Sequence, residues 1–382
     1  MHRRGPGRSH AGRPDPGIID GSGRGAGAVG ERASGWGSAA SGGRREARTV
    51  GPSGVNATVA AELRAVELIG AAIGEGAPDA GARAGPQSLK RWGLGRRLAA
   101  RGRDVRWGPI VASDRRLLGH GPLHVVGEFS ERLAGVVGAA LAGGRLPVVV
   151  GGDHSCAVGT WSAAAAALRR AAGGARALGL VWIDAHLDAH TPETSPSQMP
   201  HGMPLASLLG HGPAALTGPV EAGPALRPQD LVLIGPRSWE SGEAALLARL
   251  GVRVISSDEV ARRGLAECVR EAIDRVRADT AGWGLSFDLD ALDPQDAPGT
   301  GVPVPGGLRT TEVSAALHGL ACDPRLLAVE LVEYNPRLDA GRTTASAAEC
   351  VLGAILDRRD RSAAGPCPGP ERRAAPRATA RP

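Results

Sequence analysis

Seven short apolar runs, separated by longer Ala-, Leu- and Arg-rich stretches, constrain this chain more than any other feature. In chain order they read VELIGAAI, RLPVVVGG, LGLVWIDA, DLVLIGPR, VRVISS, GWGLSFDLD and LLAVELVEYNP. A strand with one wet face alternates apolar and polar residues, whereas a continuous apolar run means that both faces are covered. The stretches between carry helical patterning over residues 126–143, 158–172, 241–250, 258–278 and 311–320. Strands alternating with helices predict an α/β domain whose mostly parallel sheet has helices on both faces.

In open sheets of this kind, ligands bind beyond the carboxyl ends of the strands. Four runs end there in polar clusters: VVVGGDHS, VWIDAHLDAH, LSFDLDALDP and VELVEYNP. Side chains two apart on an extended segment point the same way, so Asp184, His186 and Asp188 converge, as do Asp288 and Asp290. With His154 they place four carboxylates and two imidazoles on one rim. Left unpaired, such groups repel one another and resist desolvation. Two dications sharing bridging carboxylates would neutralise them. A carboxylate-rich set with few imidazoles suits octahedral Mn2+ better than tetrahedral Zn2+, and Cys156 reads as buried filler. Two ions about 3.5–4 Å apart lower the pKa of a shared water toward roughly 7, which supplies a nucleophile for hydrolysis.

The net charge of +6 would suggest a polyanionic partner if it lay on a folded face. Instead, residues 1–50 hold nine Arg against four acids and residues 358–382 hold seven against two, leaving the region between them acidic. Lys90 is the only lysine and aromatics make up 3% of the chain. With no stacking surface to accompany the charge, nucleic-acid binding by the core is not expected. Residues 1–60 and 359–382 carry too few apolar side chains to offset chain entropy. They read as a disordered Gly/Arg-rich extension and a disordered Pro/Arg/Ala-rich tail around a catalytic domain at 61–358. The five scattered cysteines lack CxxC spacing, which reads as free thiols in the cytoplasm. No apolar stretch reaches the ~20 residues that a membrane span needs.

The motifs GGDHS, DAHLDAH, SFDLDALDP, APGTGVPVPGG and VEYNP, in this order, resemble the ureohydrolase family of arginases and agmatinases over roughly residues 64–357. The likeness is greatest to the bacterial-type arginases. It implies a three-layer α/β/α fold, two Mn2+ ions per subunit, and a homo-oligomer, trimer or hexamer. One ion would take His154, Asp184, Asp188 and Asp288, and the other His186, Asp184, Asp288 and Asp290. By the same resemblance His201 in PHGMP shuttles protons, Asp188 helps to stabilise the intermediate, and Glu333 in VEYNP grips the substrate guanidinium.

The substrate is read from the segment after the metal motif. A free amino acid needs donors for its α-carboxylate and an acceptor for its α-amino group. HTPETSPS supplies His190, Ser195 and Ser197, and the two serines match hydroxyls that arginases use for the carboxylate. Glu240 in IGPRSWESGE falls where arginases keep an acid facing the amino group. L-arginine is therefore the expected substrate, with urea and L-ornithine as products. Three departures bear on substrate fit: His190 stands in place of Asn, Val302 in place of Thr, and Met199 where a polar residue is frequent. The rival readings are a ureohydrolase acting on agmatine or a guanidino acid, and a non-catalytic binder acting through its basic tails. A dinuclear phosphoesterase is disfavoured because no Arg/Lys clamp for phosphate is evident.

Overall fold

The computed structural model describes residues 65–171 and 177–357; the extensions expected at 1–60 and 359–382 lie outside the described residues. Eight strands form the sheet: β1 Val66–Ala72, β2 Val105–Ala112, β3 Leu146–Val150, β4 Ala177–Ile183, β5 Leu226–Ile234, β6 Arg253–Ile255, β7 Thr280–Asp288 and β8 Leu326–Val332. Their order is β2-β1-β3-β8-β7-β4-β5-β6, and every pairing is parallel. The connecting helices are α1 Gly85–Trp92, α2 Leu94–Ala99, α3 Pro122–Ala142, α4 Ala157–Ala171 and α5 Pro204–Leu208. They continue with α6 Ser241–Leu250, α7 Ser257–Arg263, α8 Leu265–Ala278, α9 Thr310–Ala316 and α10 Thr343–Leu356.

Alternation along each strand separates the two cores. Leu68, Val148, Val181, Val232, Leu285 and Val329 pack with Leu89 and Leu94 of α1 and α2, Val269 of α8 and Val351 of α10. On the other face Leu180, Trp182 and Leu233 meet Trp161 of α4, and Ile69 and Val149 meet Phe129 and Val137 of α3. Fully burying one such side chain contributes roughly 1.5–3 kcal/mol, so both faces are strongly held. This is the expected three-layer α/β/α arrangement around a parallel sheet.

Some elements differ from the sequence reading. β2 was not anticipated; it is a half-exposed edge strand, so its residues never form a continuous apolar run. The helix expected over 258–278 divides into α7 and α8 at Gly264, whose φ of 84° no right-handed helix accommodates. α10 went unread because it is buried almost all round and so lacks an amphipathic stripe. Cys156 and Cys268 are buried free thiols and Cys322 an exposed one, but Cys350 is disulfide-bonded, against the expectation of free thiols throughout. Among the described residues no helix is long and apolar enough to cross a membrane.

Candidate metal centre

The strands whose ends carry the polar clusters, β3, β8, β7 and β4, are the central four of the sheet and lie side by side. Parallel pairing puts all their carboxyl ends on the same edge. Gly152 makes the approach possible at β3: a Cβ there would lie 1.8 Å from the carbonyl oxygen of Ile73, so only glycine fits.

The six proposed ligands meet beyond that edge. Nδ1 of His154 lies 3.2 Å from Asp184 Oδ2, 3.0 Å from Asp188 Oδ2 and 3.0 Å from Asp288 Oδ2. Nδ1 of His186 lies 3.5 Å from Asp184 Oδ1 and 3.2 Å from Asp290 Oδ2. Asp184 therefore turns one oxygen to each imidazole. Despite its three close oxygens, the buried His154 Nδ1 makes no aligned hydrogen bond. Ligand atoms gathered without being bonded to one another are what a metal ion between them requires. The donor set, two imidazoles and four carboxylates, fits a pair of hard or borderline dications.

Electrostatics give the same picture. Burial pushes the Asp188, Asp288 and Asp290 carboxyls up, assisted by their acidic neighbours, with Asp290 reaching about 6. Burial alone would also raise Asp184, but His154 and His186 hold it well below the usual carboxylate range. Burial opposes charge on His186, yet Asp290 and Asp184 hold it up to about 12. The cluster needs positive charge in its midst.

His154 is oriented from behind. Its ring stacks on Trp182 at 4.0 Å, and its Nε2 lies 3.0 Å from Ser286 Oγ. Ser286 Oγ donates to Glu330 Oε2 at 2.9 Å, and Trp161 Nε1 donates to the same oxygen at 3.1 Å. With its proton directed at Glu330, Ser286 can only accept from Nε2–H, which leaves the Nδ1 lone pair facing the carboxylates. Glu330 was missed at the sequence level; its one signal is an acid inside the otherwise apolar run LLAVELV. Glu330→Gln, whose amide can reverse the Ser286 hydrogen bond, is expected to weaken Mn2+ affinity about 10–100-fold. Competition against a chelating dye measures this, and unchanged affinity would separate Glu330 from the site.

A cavity of about 280 Å³ opens over the cluster and is lined by His154, His186, Asp188, Asp288, Asp290 and Glu333 together with His190, Ser197, His201, Glu240, Glu243 and Val302. Glu333 is tied in twice: its N–H donates to the Gly152 carbonyl at 2.8 Å, and its Oε1 accepts from His154 N–H at 2.9 Å. Asp188 and Glu333 both have left-handed backbones, φ 49° and 64°, a strain that packing must hold in place. His201 Nδ1 lies 3.6 Å from Glu333 Oε1. Burial disfavours its charge, but Glu333 holds it at about 9. His201 N–H donates to Gly76 O at 3.0 Å, and Gly76 N–H donates to the buried Asp153 at 2.9 Å, so Asp153 of GGDHS fixes this loop.

The residues read for the α-carboxylate and α-amino group do not all fall together. Ser197 lines the cavity, whereas Ser195 does not; Ser195 is buried and its Oγ accepts from Gln198 N–H at 3.0 Å. His190 Nε2 faces Glu240 Oε2 at 3.0 Å and Glu243 Oε2 at 3.7 Å. Glu243, absent from the sequence reading, forms with Glu240 the reciprocal cap that starts α6, and burial pushes its carboxyl up to about 8. Its signal was the E-x-x-E spacing that opens a helix. Among the described residues no Arg or Lys lines the cavity. Nearby Arg237 is engaged with backbone, donating to the carbonyls of Asp290 and Val304 at 2.8 Å each, so the described residues offer no phosphate clamp there.

A parallel sheet whose central strand ends gather six such groups, five of them lining one cavity, defines a class of hydrolases with a donor set suited to a pair of metal ions. The sequence model of the arginase family matches residues 64–356. The arginase of Bacillus caldovelox is 38% identical over 304 residues, covering 78% of this chain and 99% of that one. The arginase of Brevibacillus brevis is 37% identical, covering 76% and 97%. Among solved structures, Bacillus caldovelox arginase aligns with a TM-score of 0.71 at 36% identity, covering 78% of this chain and 99% of that one. Bacillus subtilis arginase aligns with 0.70 at 33%, covering 77% and 99%. The chain belongs to the arginase family.

Proposed function

We propose that the protein is a Mn2+-dependent arginase that hydrolyses L-arginine to L-ornithine and urea. The observation that carries this reading is the cavity itself, lined by five of the six proposed ligands and Glu333 together with Ser197, Glu240 and Glu243. In this reading His154, Asp184, Asp188 and Asp288 hold one ion, and His186, Asp184, Asp288 and Asp290 the other. When bound, the pair supplies Lewis acidity and a water deprotonated near neutral pH.

The protein's own groups do the rest. The Glu333 carboxylate accepts N–H from the planar guanidinium and fixes its plane. Asp188 stabilises the charge that develops at the guanidinium carbon. The bond from that carbon to the alkyl-chain nitrogen breaks, water provides the urea oxygen, and His201 delivers a proton to the leaving amine. Ser197, assisted by Ser195 and His190, faces the α-carboxylate, and Glu240 with Glu243 faces the α-amino group.

Urea release from L-arginine tests the proposal. Chelation is expected to abolish it and Mn2+ to restore it better than Zn2+; full activity in a verified metal-free preparation would end the reading. The proposal extends to a cytoplasmic homo-oligomer, trimer or hexamer, which sedimentation analysis checks. Every proposed site residue lies between His154 and Glu333, so a chain trimmed to residues 61–358 is expected to keep its specific activity. A large fall in turnover with the fold intact would show that a tail enters the site or an essential subunit contact.

A further inference from the structure

A second hollow of about 330 Å³ lies between α1, the start of α10 and the residue after Glu333, lined by Ser88, Arg91, Trp92, Tyr334, Arg342 and Ala345. It shares no lining residue with the metal cavity. Two of its six residues are arginines and none is an acid. Among the described residues neither the Arg91 nor the Arg342 guanidinium makes a hydrogen bond or salt bridge.

Of the carboxylates nearby, Asp339 meets the hydroxyl of the wall residue Tyr334, and their other bonds lie away from the arginines. Asp339 accepts from Thr344 N–H at 3.1 Å and Ala345 N–H at 3.0 Å, which also occupies the first amides of α10. Glu349 faces Arg97 at 3.3 Å and Arg101 at 3.9 Å, and Asp79 faces Arg337 at 3.6 Å. The surrounding segment 85–106 holds seven basic residues and one acid, Asp104, so its field favours an approaching anion.

A guanidinium is a weakly hydrated fork of donors matched to carboxylate and phosphate oxygens. Two such forks, exposed and without partners among the described residues, flank one hollow walled by Trp92 and by Tyr334, whose hydroxyl is hydrogen-bonded to Ser88, and they offer their donors to an oxyanion. We propose that this hollow binds a small organic phosphate: the arginines hold the phosphoryl group and the aromatic walls take a flat apolar part. The site is independent of the metal centre, so its failure would leave the proposed hydrolysis untouched.

Isothermal titration of the full Mn2+-loaded protein with inorganic phosphate and with phenyl phosphate tests this. Wild type is expected to bind phenyl phosphate more tightly than phosphate. The double variant Arg91→Gln/Arg342→Gln is expected to bind both at least ~10-fold more weakly, since each lost charged hydrogen bond is worth about that factor. Ser88→Asp, which sets a negative charge in the hollow, is expected to abolish binding. Urea release and thermal melting of the double variant should match wild type. Absence of binding to wild type, or wild-type affinity in both the double variant and Ser88→Asp, overturns the proposal.

Discussion

Asp288→Asn is expected to retain at most one Mn2+ per chain after dialysis and to lose at least ~10³-fold in urea release, because a metal clamp contributes several kcal/mol and each 1.36 kcal/mol is tenfold. The variant keeps the volume of the side chain and an oxygen to accept from Asp290 N–H, a bond of 2.8 Å in the native protein. It loses only the charge that lies 3.0 Å from His154 Nδ1. Without metal, burial and the neighbouring Asp290 and Asp184 already disfavour charge on the Asp288 carboxyl, so a neutral amide there should let the metal-free variant melt no lower than metal-free wild type. Metal-saturated wild type should melt above both, since a ligand at 100 times its Kd adds about 2.7 kcal/mol. Metal analysis, urea release and melting curves check the three parts together. Wild-type metal content in an inactive variant would assign Asp288 to chemistry alone, and wild-type activity would remove it from the centre.

L-arginine is expected to exceed agmatine by at least ~10²-fold in kcat/KM, because agmatine has no α-carboxylate and hydrogen bonds to a charged group are worth roughly 1.5–3 kcal/mol each. Ser197 is the serine that lines the cavity. Ser197→Ala should therefore weaken arginine use by about tenfold and leave agmatine use almost unchanged. Burial of Ser195 and its bond from Gln198 give it a smaller expected effect than Ser197. Steady-state urea release from both substrates by wild type and Ser197→Ala is the measurement. Equal efficiency on both substrates in wild type, or an equal loss on both in the variant, would remove the carboxylate argument.

The proposed ligands stood out in the sequence because acids and imidazoles that end apolar strands are costly wherever they are not used. The same contrast made β3, β4, β7 and β8 legible. Groups whose placement is non-local left no such mark. Glu330 reads as an ordinary strand residue until Ser286 and Trp161 close on it. Glu243 reads as a helix cap until its second oxygen comes within 3.7 Å of His190. His190 reads as a carboxylate donor, yet its Nε2 is already opposite Glu240 at 3.0 Å.

Residue chemistry and spacing by themselves determined which groups the strand ends present and that metal charge is needed among them, because alternation along a strand and the repulsion of like charges are local facts. Tertiary structure decided that β3, β8, β7 and β4 are neighbours. Chain order does not contain this. β3 and β8 are far apart in sequence, and their pairing of Val148 with Val329 depends on helices packing on both faces of the sheet. The same long-range packing gathers His154, Asp188, Asp288 and Glu333 around one cavity, keeps Ser195 out of its lining, and leaves two arginines, unpaired among the described residues, around a second one. Strand order is a property of the whole core, and no window of sequence holds the whole core.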